Sequence, residues 1–562
     1  MNYYDEYINI NTESDYIIGK LEKKHKDYIV NDIIVENNRG IVNDIVYVKD
    51  NKVVNIKERS NQYIAGILCM NSNKKYGFNS KGMAYYLFKP LNKKISCFYV
   101  ASSLVVKEKY YAVVRYNKWE RNSKCPYGIC ENVLGRIDIF ENICDILLYR
   151  YDLQKKRFKI PMGKINKDLK ELEDLQDMNK YNYEVYSIDP EGCRDIDDAI
   201  HFCKKESYYE IGVHITDVSY YIKNVKDLLN NVSSIYCLHK QINMIPDVYS
   251  TNICSLLEGT IRRAISVIYK YNFEGELIDY EYKFCKVKVK KNYTYEFIDN
   301  IIDTNVDNSG LNILELYKFL LKKDETIDSH KLVEYLMVLA NKTVGEIIYK
   351  YNKEYCILRT HKESIKHYDI VKDNKSLSEF LRLRSFNSAI YEINTEDVEH
   401  YGLNEKYYTH FTSPIRRVVD IVNHINLKNI KNKKNLYEIE DDAMMYINNF
   451  NKNIKRMYFD NKIVEVLYKY DKNKYNSYCY ILDFDYNRFV VYIEEFGIEY
   501  RFEYFSELLK DLYVVEQDNT SITIKFNSTT KVYKLYMKID IEIYFIRTED
   551  ILEKKIKIKF LE

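Results

Sequence analysis

Runs of apolar, often β-branched residues separated by short polar turns predict strands in the first part of the chain. Such runs occupy residues 16–20, 27–30 and 40–48, and a second series begins at 63–68 and continues through 112–116. Short strands with frequent turns are typical of small β-barrels. The pattern therefore predicts two small β domains, at residues 1–60 and 61–164.

The pattern changes after residue 165. Residues 165–180 are polar and helix-prone, which suits a linker or a surface helix, whereas residues 211–218 (IGVHITDV) have the length and β-branched content of a buried strand. Residues 332–349 show the apolar spacing of a long helix. The side predicted to be apolar carries Leu336, Leu339, Ala340 and Val344. This stretch predicts an α/β domain at residues 165–470.

The C-terminal part is β-rich again. Residues 489–499 (FVVYIEEFGIE) predict a strand followed by a turn, and residues 555–560 (KIKIKF) alternate as a final strand does. A further β domain is therefore expected at residues 471–562. In the middle domain, Lys286, Lys288 and Lys290 alternate with valines, so a strand there would carry three ammonium groups on one face. That face is either solvated or a track for a polyanion.

Four aspartates lie within ten residues: Asp189, Asp195, Asp197 and Asp198. Carboxylates this close raise one another's pKa unless a cation or basic group offsets their charge. Oxygen-only ligands at this density suit a hard cation such as Mg²⁺. The alternative is a solvated Asp-rich turn or a helix N-cap.

A second polar cluster lies at residues 408–417 (YTHFTSPIRR). Pro414 suits the first turn of a helix and Ser413 is a good N-cap, so a helix is predicted over 415–426. Its N-terminus and the guanidiniums of Arg416 and Arg417 would then form a phosphate-binding corner. The alternative is that the two arginines form structural ion pairs with the aspartates or with Asp420.

Composition narrows the class of protein. A net charge of +2 excludes a bulk polycation, so a nucleic-acid partner would have to bind in a local basic groove. The twelve cysteines include no CxxC pair, and the C-x4-C spacing of Cys125 and Cys130 without a second pair argues against zinc. No apolar run is long enough to span a bilayer. We expect a protein of a reducing, cytoplasmic setting, with a nuclear or virion location left open.

In combination, these segments resemble the RNB catalytic domain of the RNase II / RNase R superfamily. The resemblance is strongest in the aspartate segment (189–199) and in HFTSPIRR (410–417), and the intervening segments follow in the family's order. They are 212–219, 234–236, 244–246, 255–262, 290–297, 334–341 and 358–361. One departure is Val418, where the family usually has tyrosine. Several motifs in the right order make coincidence a poor explanation.

The resemblance implies an α+β multidomain fold. It consists of a central RNB α/β catalytic domain, N-terminal OB or cold-shock barrels and a C-terminal S1-like OB barrel. The layout is similar to the branch containing the exosome catalytic subunit, and the segment from Trp119 to Gly135 resembles that branch's second cold-shock domain. The N-terminal endonuclease domain of that branch is not expected here.

The resemblance also implies the activity: processive, Mg²⁺-dependent 3′→5′ hydrolysis of single-stranded RNA to nucleoside 5′-monophosphates. Mn²⁺ is an alternative ion. The expected partner is RNA with a free 3′ end, with the chain acting as a monomer or within an RNA-processing assembly, and no membrane. The four aspartates would hold the metal and Asp197 would be the most sensitive of them.

Other roles follow from the same resemblance. Arg416 would offset charge on the phosphoryl group, and Tyr295 would pack on the terminal nucleotide and fix where cutting stops. Tyr236, Arg417 and Arg262 are further RNA-binding candidates. The histidines His214, His361, His410 and His424 lack metal-ligand spacing and are expected to be structural.

Two other functions stay open. The first is an RNA-binding scaffold with an RNB fold and no catalysis, although such a protein would usually lack one of the four aspartates. The second is a phosphatase with an Asp nucleophile, which needs D-x-D followed by a hydroxyl residue. Here Asp198 and Ala199 follow Asp197, which argues against a phosphatase.

Overall fold

The structure is a computed structural model that describes residues 15–561 with internal gaps. The residues left out of the description are 1–14, 25, 155–159, 174–183, 230, 308–311, 322–327, 364–373, 386, 470–473, 486–487, 504–511, 519, 527–528, 546–555 and 562. The second half of the predicted helix at 165–180, and Lys555 of the predicted last strand, thus lie outside the described residues. The described residues divide into two compact units. One comprises Met1–Gln154, Cys237–His239 and Asn453–Glu562, and the other comprises Lys155–Tyr236 and Lys240–Lys452.

The N-terminal strands form two three-stranded sheets, with orders β1-β5-β6 and β2-β3-β4. They are β1 (Ile17–Lys20), β2 (Glu22–Lys24), β3 (Asp27–Val30), β4 (Ile33–Val35), β5 (Ile45–Lys49) and β6 (Lys52–Glu58). Leu21, Val30, Val46 and Val53 are buried in one small core, as expected from the apolar runs. The strands predicted at 16–20, 27–30 and 40–48 are confirmed within a few residues.

The next five strands close into a barrel with the order β10-β11-β9-β8-β7. They are β7 (Ile64–Cys69), β8 (Tyr85–Pro90), β9 (Phe98–Ala101), β10 (Lys109–Lys118) and β11 (Tyr127–Arg136), followed by helix α1 (Phe140–Arg150). Leu68, Phe88, Phe98 and Val114 fill the barrel interior, which excludes water. The second predicted small barrel is therefore present.

The central unit contains a second closed barrel, with the order β12-β13-β14-β17-β18. Its strands and the small hairpins around it are β12 (Val185–Asp189), β13 (Asp198–Lys204), β14 (Tyr209–Thr216), β15 (Ile235–Tyr236), β16 (Gln241–Ile242), β17 (Ile261–Tyr271), β18 (Leu277–Thr294), β19 (Ile357–Thr360), β20 (Ile390–Ile393), β21 (Glu399–His400) and β22 (Glu405–Lys406). The barrel closes because β12 pairs in parallel with β18 and antiparallel with β13.

The helices after residue 160 are α2 (Met162–Glu173), α3 (Val218–Tyr221), α4 (Tyr295–Thr304), α5 (Ile313–Leu321), α6 (Ser329–Tyr351), α7 (Lys375–Ser385), α8 (Val418–Lys431) and α9 (Asp441–Lys469). Of these, α4, α5, α6 and α8 contribute buried residues to the barrel's core. The predicted long helix at 332–349 is confirmed as α6, whose Leu336, Ala340 and Val344 are fully buried against the barrel core. Leu339 is only partly buried.

Residues after 474 form a five-stranded sheet, ordered β25-β24-β23-β29-β30, and a three-stranded sheet, ordered β26-β27-β28. The strands are β23 (Tyr475–Asp485), β24 (Arg488–Ile493), β25 (Ile498–Glu503), β26 (Leu512–Gln517), β27 (Ser521–Phe526), β28 (Thr529–Lys534), β29 (Lys538–Phe545) and β30 (Ile556–Phe560). The strand-and-turn predicted at 489–499 is confirmed. The S1-like identity of this region and the four domain boundaries stay predictions.

One predicted element is wrong at its start. The helix expected from residue 415 begins at Val418, and Pro414–Arg416 form a turn instead. Arg417 is extended because it pairs with Ser233 in an isolated β-bridge, and the amide of Val418 donates to the carbonyl of Val232. A contact with a distant segment therefore overrides the local helix signals of Ser413 and Pro414.

No helix in the described ranges is both long and apolar enough to cross a membrane. All twelve cysteines are free thiols.

Candidate active site

The barrel brings the aspartate cluster to one end of two adjacent strands. Asp189 is the last residue of β12 and Asp198 is the first residue of β13, and the pairing of Tyr186 with Ile200 sets these strand ends side by side. Gly192 adopts φ +78°, and Cys193 donates its amide to the carbonyl of Pro190. This is the left-handed third position that a type II turn requires, and glycine supplies it without strain.

The turn that carries the other aspartates is fixed by a serine far along the chain. The Ser255 hydroxyl accepts the amide of Ile196 at 3.0 Å and donates to the carbonyl of Arg194 at 2.9 Å. The amide of Thr216 also donates to the carbonyl of Asp197 at 2.9 Å. The backbone on both sides of Asp197 is therefore held before any ligand binds.

Asp197 is the most enclosed member of the cluster, with 6% of its surface exposed. Its Oδ1 accepts the amide of Ile415 at 2.8 Å, and its Oδ2 lies 3.6 Å from Nε of Arg416. Burial raises the pKa of Asp197 well above its ordinary value, although Arg416 and the Ile415 amide act in the opposite direction. The structure thus joins the Asp189–Asp198 segment to the HFTSPIRR segment through this carboxylate.

Asp198 and Asp189 also have raised pKa values, because they are buried and close to other carboxylates. Burial and, to a smaller extent, the charge of Asp189 together raise the pKa of Asp198 to about 7. Burial likewise raises the pKa of Asp189 to about 6, with a contribution from Asp195. Oδ2 of Asp189 is buried without a hydrogen-bond partner among the described residues.

The carboxylate of Asp195 accepts hydrogen bonds from two side chains. Its Oδ2 accepts the amide of Gln241 at 2.9 Å and the hydroxyl of Tyr236 at 3.3 Å. Tyr236 therefore lies near the cluster and is 42% exposed, while its contact with RNA stays a prediction. Sequence analysis did not identify Gln241, which is 46 positions away from Asp195 and belongs to no charged motif.

Tyr295 lies at the start of α4, where Thr294 caps the helix. Its ring stacks on His330 with the ring centroids 3.8 Å apart and an interplanar angle of 13°. Burial raises the pKa of Tyr295 to about 12, and the charges of Asp198 and Asp189 contribute. The structure therefore brings Tyr295 close to the carboxylates and gives its ring a fixed platform, which the sequence did not reveal.

The two arginines of the signature have different surroundings. Arg416 is 48% exposed, and its guanidinium also donates to the Ser413 hydroxyl at 3.0 Å. Arg417 instead donates from Nε and Nη2 to the two oxygens of buried Asp420, both at 2.9 Å. The structural ion pair considered for the signature thus holds for Arg417. Its contact with RNA stays a prediction.

Arg262 lies inside the unit with 8% of its surface exposed. Its Nε donates to the carbonyls of Asn252 and Ser255, and its Nη1 donates to the carbonyl of Ile261. The first two of these bonds satisfy backbone carbonyls within and just after the π-helical turn at Tyr249–Ile253. The described contacts of Arg262 are thus structural, and they do not include the carboxylates.

Asn341 is a positioning residue that sequence analysis did not identify. Its Oδ1 accepts the amides of Phe411 and Thr412, and its Nδ2 donates to the hydroxyl of Tyr408. An asparagine among the buried positions of α6 is the signal that could have marked it, since buried amides need partners. It anchors the HFTSPIRR segment against α6.

The predicted structural histidines conform to expectation where the structure tests them. His424 is fully buried, and its Nε2 donates to the carbonyl of Phe411 at 2.8 Å. His410 contacts the Tyr391 hydroxyl at 2.5 Å, and His361 accepts the amide of Gly402 at 3.0 Å.

The three alternating lysines, Lys286, Lys288 and Lys290, lie on β18. Val287 and Val289 between them are buried, and Lys290 pairs with Glu184 at 2.7 Å.

The donor set fits a hard divalent cation. The aspartates offer only oxygen atoms, and Oδ2 of Asp189 has no hydrogen-bond partner among the described residues. Burial and the neighbouring carboxylates raise the pKa values of Asp189 and Asp198, so a bound cation would offset the charge of their ionised forms. Asp189, Asp197 and Asp198 are the candidate ligands, and Asp195 is a fourth whose Oδ2 is already used by Gln241 and Tyr236.

A stability prediction follows from the pKa of Asp198. The folded protein keeps this proton up to about pH 7, whereas an unfolded aspartate loses it near its ordinary value of 3.8. The stabilising contribution is therefore complete below the unfolded pKa and is lost as the pH rises to about 7. We expect Asp198→Asn in EDTA to raise the free energy of unfolding by about 1–3 kcal/mol at pH 7.5 and to change it little at pH 4.

Chemical unfolding of both proteins at the two pH values measures this difference. Glu191→Gln is the matched control, because it removes an exposed carboxylate from the same turn. A variant less stable than the wild type at pH 7.5 would mean that the Asp198 charge is already compensated without metal.

Comparisons with known proteins agree with this architecture. The family described as "RNB domain" matches residues 172–320 and 311–433, and the family described as "Dis3-like cold-shock domain 2 (CSD2)" matches residues 85–152. The exosome complex exonuclease RRP44 of Mus musculus is 29% identical over 429 residues, which are 60% of this chain and 44% of the mouse protein. The chain thus matches less than half of that relative's length.

Two solved structures share the fold. The apo form of Mycoplasma genitalium RNase R has a TM-score of 0.76 at 16% identity, covering 97% of this chain and 100% of that one. Yeast Ssd1, described as a pseudonuclease, has a TM-score of 0.68 at 14% identity, covering 100% of this chain and 99% of that one. At these identities the likeness concerns the fold alone. The predicted fold class, with N-terminal barrels and a central RNB domain, is confirmed, and residues 172–433 match the RNB domain family.

Proposed function

We propose that this chain is a processive, Mg²⁺-dependent 3′→5′ exoribonuclease that releases nucleoside 5′-monophosphates from single-stranded RNA. The observation that carries the proposal is the meeting of Asp197 with Arg416 beside Asp189, Asp198 and Tyr295. Acidic ligands, a half-exposed guanidinium and a stacking ring are the three groups that a terminal phosphodiester needs. The RRP44 relative, an exonuclease by name, supports the same class of reaction.

Mg²⁺ bound by the aspartates would neutralise their charge, polarise a phosphoryl oxygen and lower the pKa of a water molecule. Mn²⁺ offers the same octahedral oxygen chemistry. Arg416 can follow the phosphoryl group because its guanidinium is half exposed while Ser413 and Asp197 hold one edge of it. It therefore stabilises negative charge that develops on the phosphate as the 3′ oxygen of the shortened chain leaves.

The ionisation of the aspartates sets the pH behaviour. Because the pKa of Asp198 is about 7 and that of Asp189 about 6, the metal has to displace protons from these groups at neutral pH and below. Activity at a fixed, limiting Mg²⁺ concentration is therefore expected to fall steeply from pH 7.5 to pH 6.

The first test follows 5′-labelled RNA. With Mg²⁺ we expect full-length RNA and a short end product with few intermediates when RNA is in excess, because each molecule is shortened processively. EDTA should stop the reaction, and thin-layer chromatography of body-labelled RNA should show nucleoside 5′-monophosphates. Mononucleotides with 3′-phosphates, or internal cleavage, would contradict the proposed chemistry.

Tyr295 provides a separate prediction about product length. Its ring stacks on His330, and the charges of Asp198 and Asp189 help to raise the pKa of its hydroxyl. We expect Tyr295→Ala to leave end products longer by one or more nucleotides, because base stacking contributes roughly 1–3 kcal/mol per base. Tyr295→Phe keeps the ring and should give the wild-type end product on the same sequencing gel. Identical products from all three proteins would rule out this role.

The competing function is a catalytically silent RNA-binding scaffold, which the fold likeness to the pseudonuclease Ssd1 supports. Binding of labelled RNA without any shortening in Mg²⁺ or Mn²⁺ would favour it.

The exoribonuclease proposal also includes a cellular setting and a partner. The setting is reducing and intracellular, consistent with the free thiols, and the partner is RNA with a free 3′ end. Whether the chain acts alone or in an RNA-processing assembly is answered by its mass in a native extract.

A further inference from the structure

A second cluster of metal-binding groups lies on the hairpin formed by β13 and β14. Residues two apart on a strand share a face, so His201 and Cys203 point to the same side of β13. Cys203 is paired in register with Glu210 on β14, and His201 with Gly212. The hairpin therefore presents an imidazole, a thiol and a carboxylate together. Asp198 is an odd number of positions from His201 and belongs to the other face of the strand.

The spacing of the three groups is that of a small coordination sphere. Nε2 of His201 lies 3.5 Å from Oε1 of Glu210, and Sγ of Cys203 also lies 3.5 Å from that oxygen. All three donor atoms fall within 4.8 Å of one another. Tetrahedral Zn²⁺ with bonds of about 2.0–2.3 Å separates neighbouring ligand atoms by roughly 3.3–3.8 Å, so little movement is needed.

The surroundings hold His201 in the orientation that a ligand requires. Its Nδ1 lies 2.7 Å from Nε2 of His214, whose Nδ1 lies 2.6 Å from the Ser266 hydroxyl. When the His201 Nδ1–H donates along this chain, the lone pair of Nε2 is left for the metal, as is usual for metal-bound histidines. Gly212 makes room for the ring, since a Cβ there would lie 2.1 Å from Cε1 of His201.

We propose that His201, Cys203 and Glu210 form a zinc-type metal site, with water as the fourth ligand, that clamps the β13–β14 hairpin. His201 and Glu210 are buried and Cys203 is half-buried, so the ion would enter from the thiol side. Cys203 binds as the thiolate and its proton goes to solvent. Lys205 interacts electrostatically with both Cys203 and Glu210, so the ion competes there with one ammonium group. The mixed N, S and O ligands distinguish this site from the oxygen-only aspartates.

Cobalt titration of the full chain tests the site. We expect one Co²⁺ to give a thiolate-to-cobalt charge-transfer band in the near ultraviolet, and Zn²⁺ to displace it. Cys203→Ser should abolish the band and weaken Co²⁺ binding at least about tenfold. Cys193→Ser is the matched control, because Cys193 lies 3.9 Å from an Asp195 oxygen and is the thiol that the aspartate site could offer. Retention of the band in Cys203→Ser, or its loss in Cys193→Ser, would overturn the proposal.

A measurement on the unaltered protein guards against a variant that misfolds. Zn²⁺ should slow alkylation of Cys203 at least about tenfold, as read by peptide mass spectrometry, whereas Mg²⁺ should not. The thiol of Cys130, which is half-buried on β11 and donates to the carbonyl of Asn132, serves as the internal reference. Equal alkylation of Cys203 with and without Zn²⁺ would refute the site. Neither result depends on RNA hydrolysis, so failure of this site and failure of the proposed nuclease can be told apart.

Discussion

The Asp197→Asn variant is expected to shorten RNA at least about 1,000-fold more slowly than the wild type, a loss of about 4 kcal/mol of transition-state stabilisation. The amide oxygen can still accept the Ile415 amide, so the local backbone should keep its conformation. What disappears is the negative charge that faces both the metal position and Arg416. The variant should therefore bind RNA and fail to hydrolyse it.

Single-turnover rates on 5′-labelled RNA, with Kd from fluorescence anisotropy, separate these effects. Glu191→Gln, which removes an exposed charge two positions after Asp189, should keep wild-type rates. An Asp197→Asn rate within about tenfold of the wild type would show that this carboxylate is not at the reacting phosphate.

The second large effect is expected at Arg416. Arg416→Ala should lower the maximal rate about 100- to 1,000-fold, the range seen when one preorganised electrostatic donor is removed. Arg416→Lys should recover only part of it, because an ammonium group cannot contact Ser413, Asp197 and a phosphate in one planar arrangement.

Separate measurement of kcat, KM and thermal unfolding distinguishes a catalytic defect of the Arg416→Ala variant from a folding defect. We expect the maximal rate to fall while KM changes less than about tenfold, and thermal unfolding to stay near that of the wild type because the side chain is half exposed. A variant that loses affinity alone would assign Arg416 to RNA binding rather than to the reaction.

Much of this site could be predicted from the sequence because its acidic residues are local. Asp189, Asp195, Asp197 and Asp198 are separated by a turn and one strand start, so pattern alone brings them together. The apolar spacing of α6 predicted its buried face for the same reason. Features that depend on short-range patterns are the ones that a sequence predicts best.

The parts that could not be predicted depend on distant contacts. The start of α8 is set by the pairing of Arg417 with Ser233, some 180 positions earlier, and the signature segment is held by Asn341 on α6. Gln241 reaches Asp195 only through the fold. Whether Arg417 pairs with Asp420 or with phosphate was open in the sequence, since both need the same planar guanidinium.

Crystals of the protein grown with Mn²⁺ and a short RNA give the most direct test of the account, because anomalous scattering locates the ion without assumptions. We predict a peak about 2.0–2.3 Å from carboxylate oxygens of at least two of Asp189, Asp197 and Asp198, with the 3′-terminal phosphate between it and Arg416. Manganese bound elsewhere, with these carboxylates protonated and the RNA end outside the reach of Arg416, would contradict it.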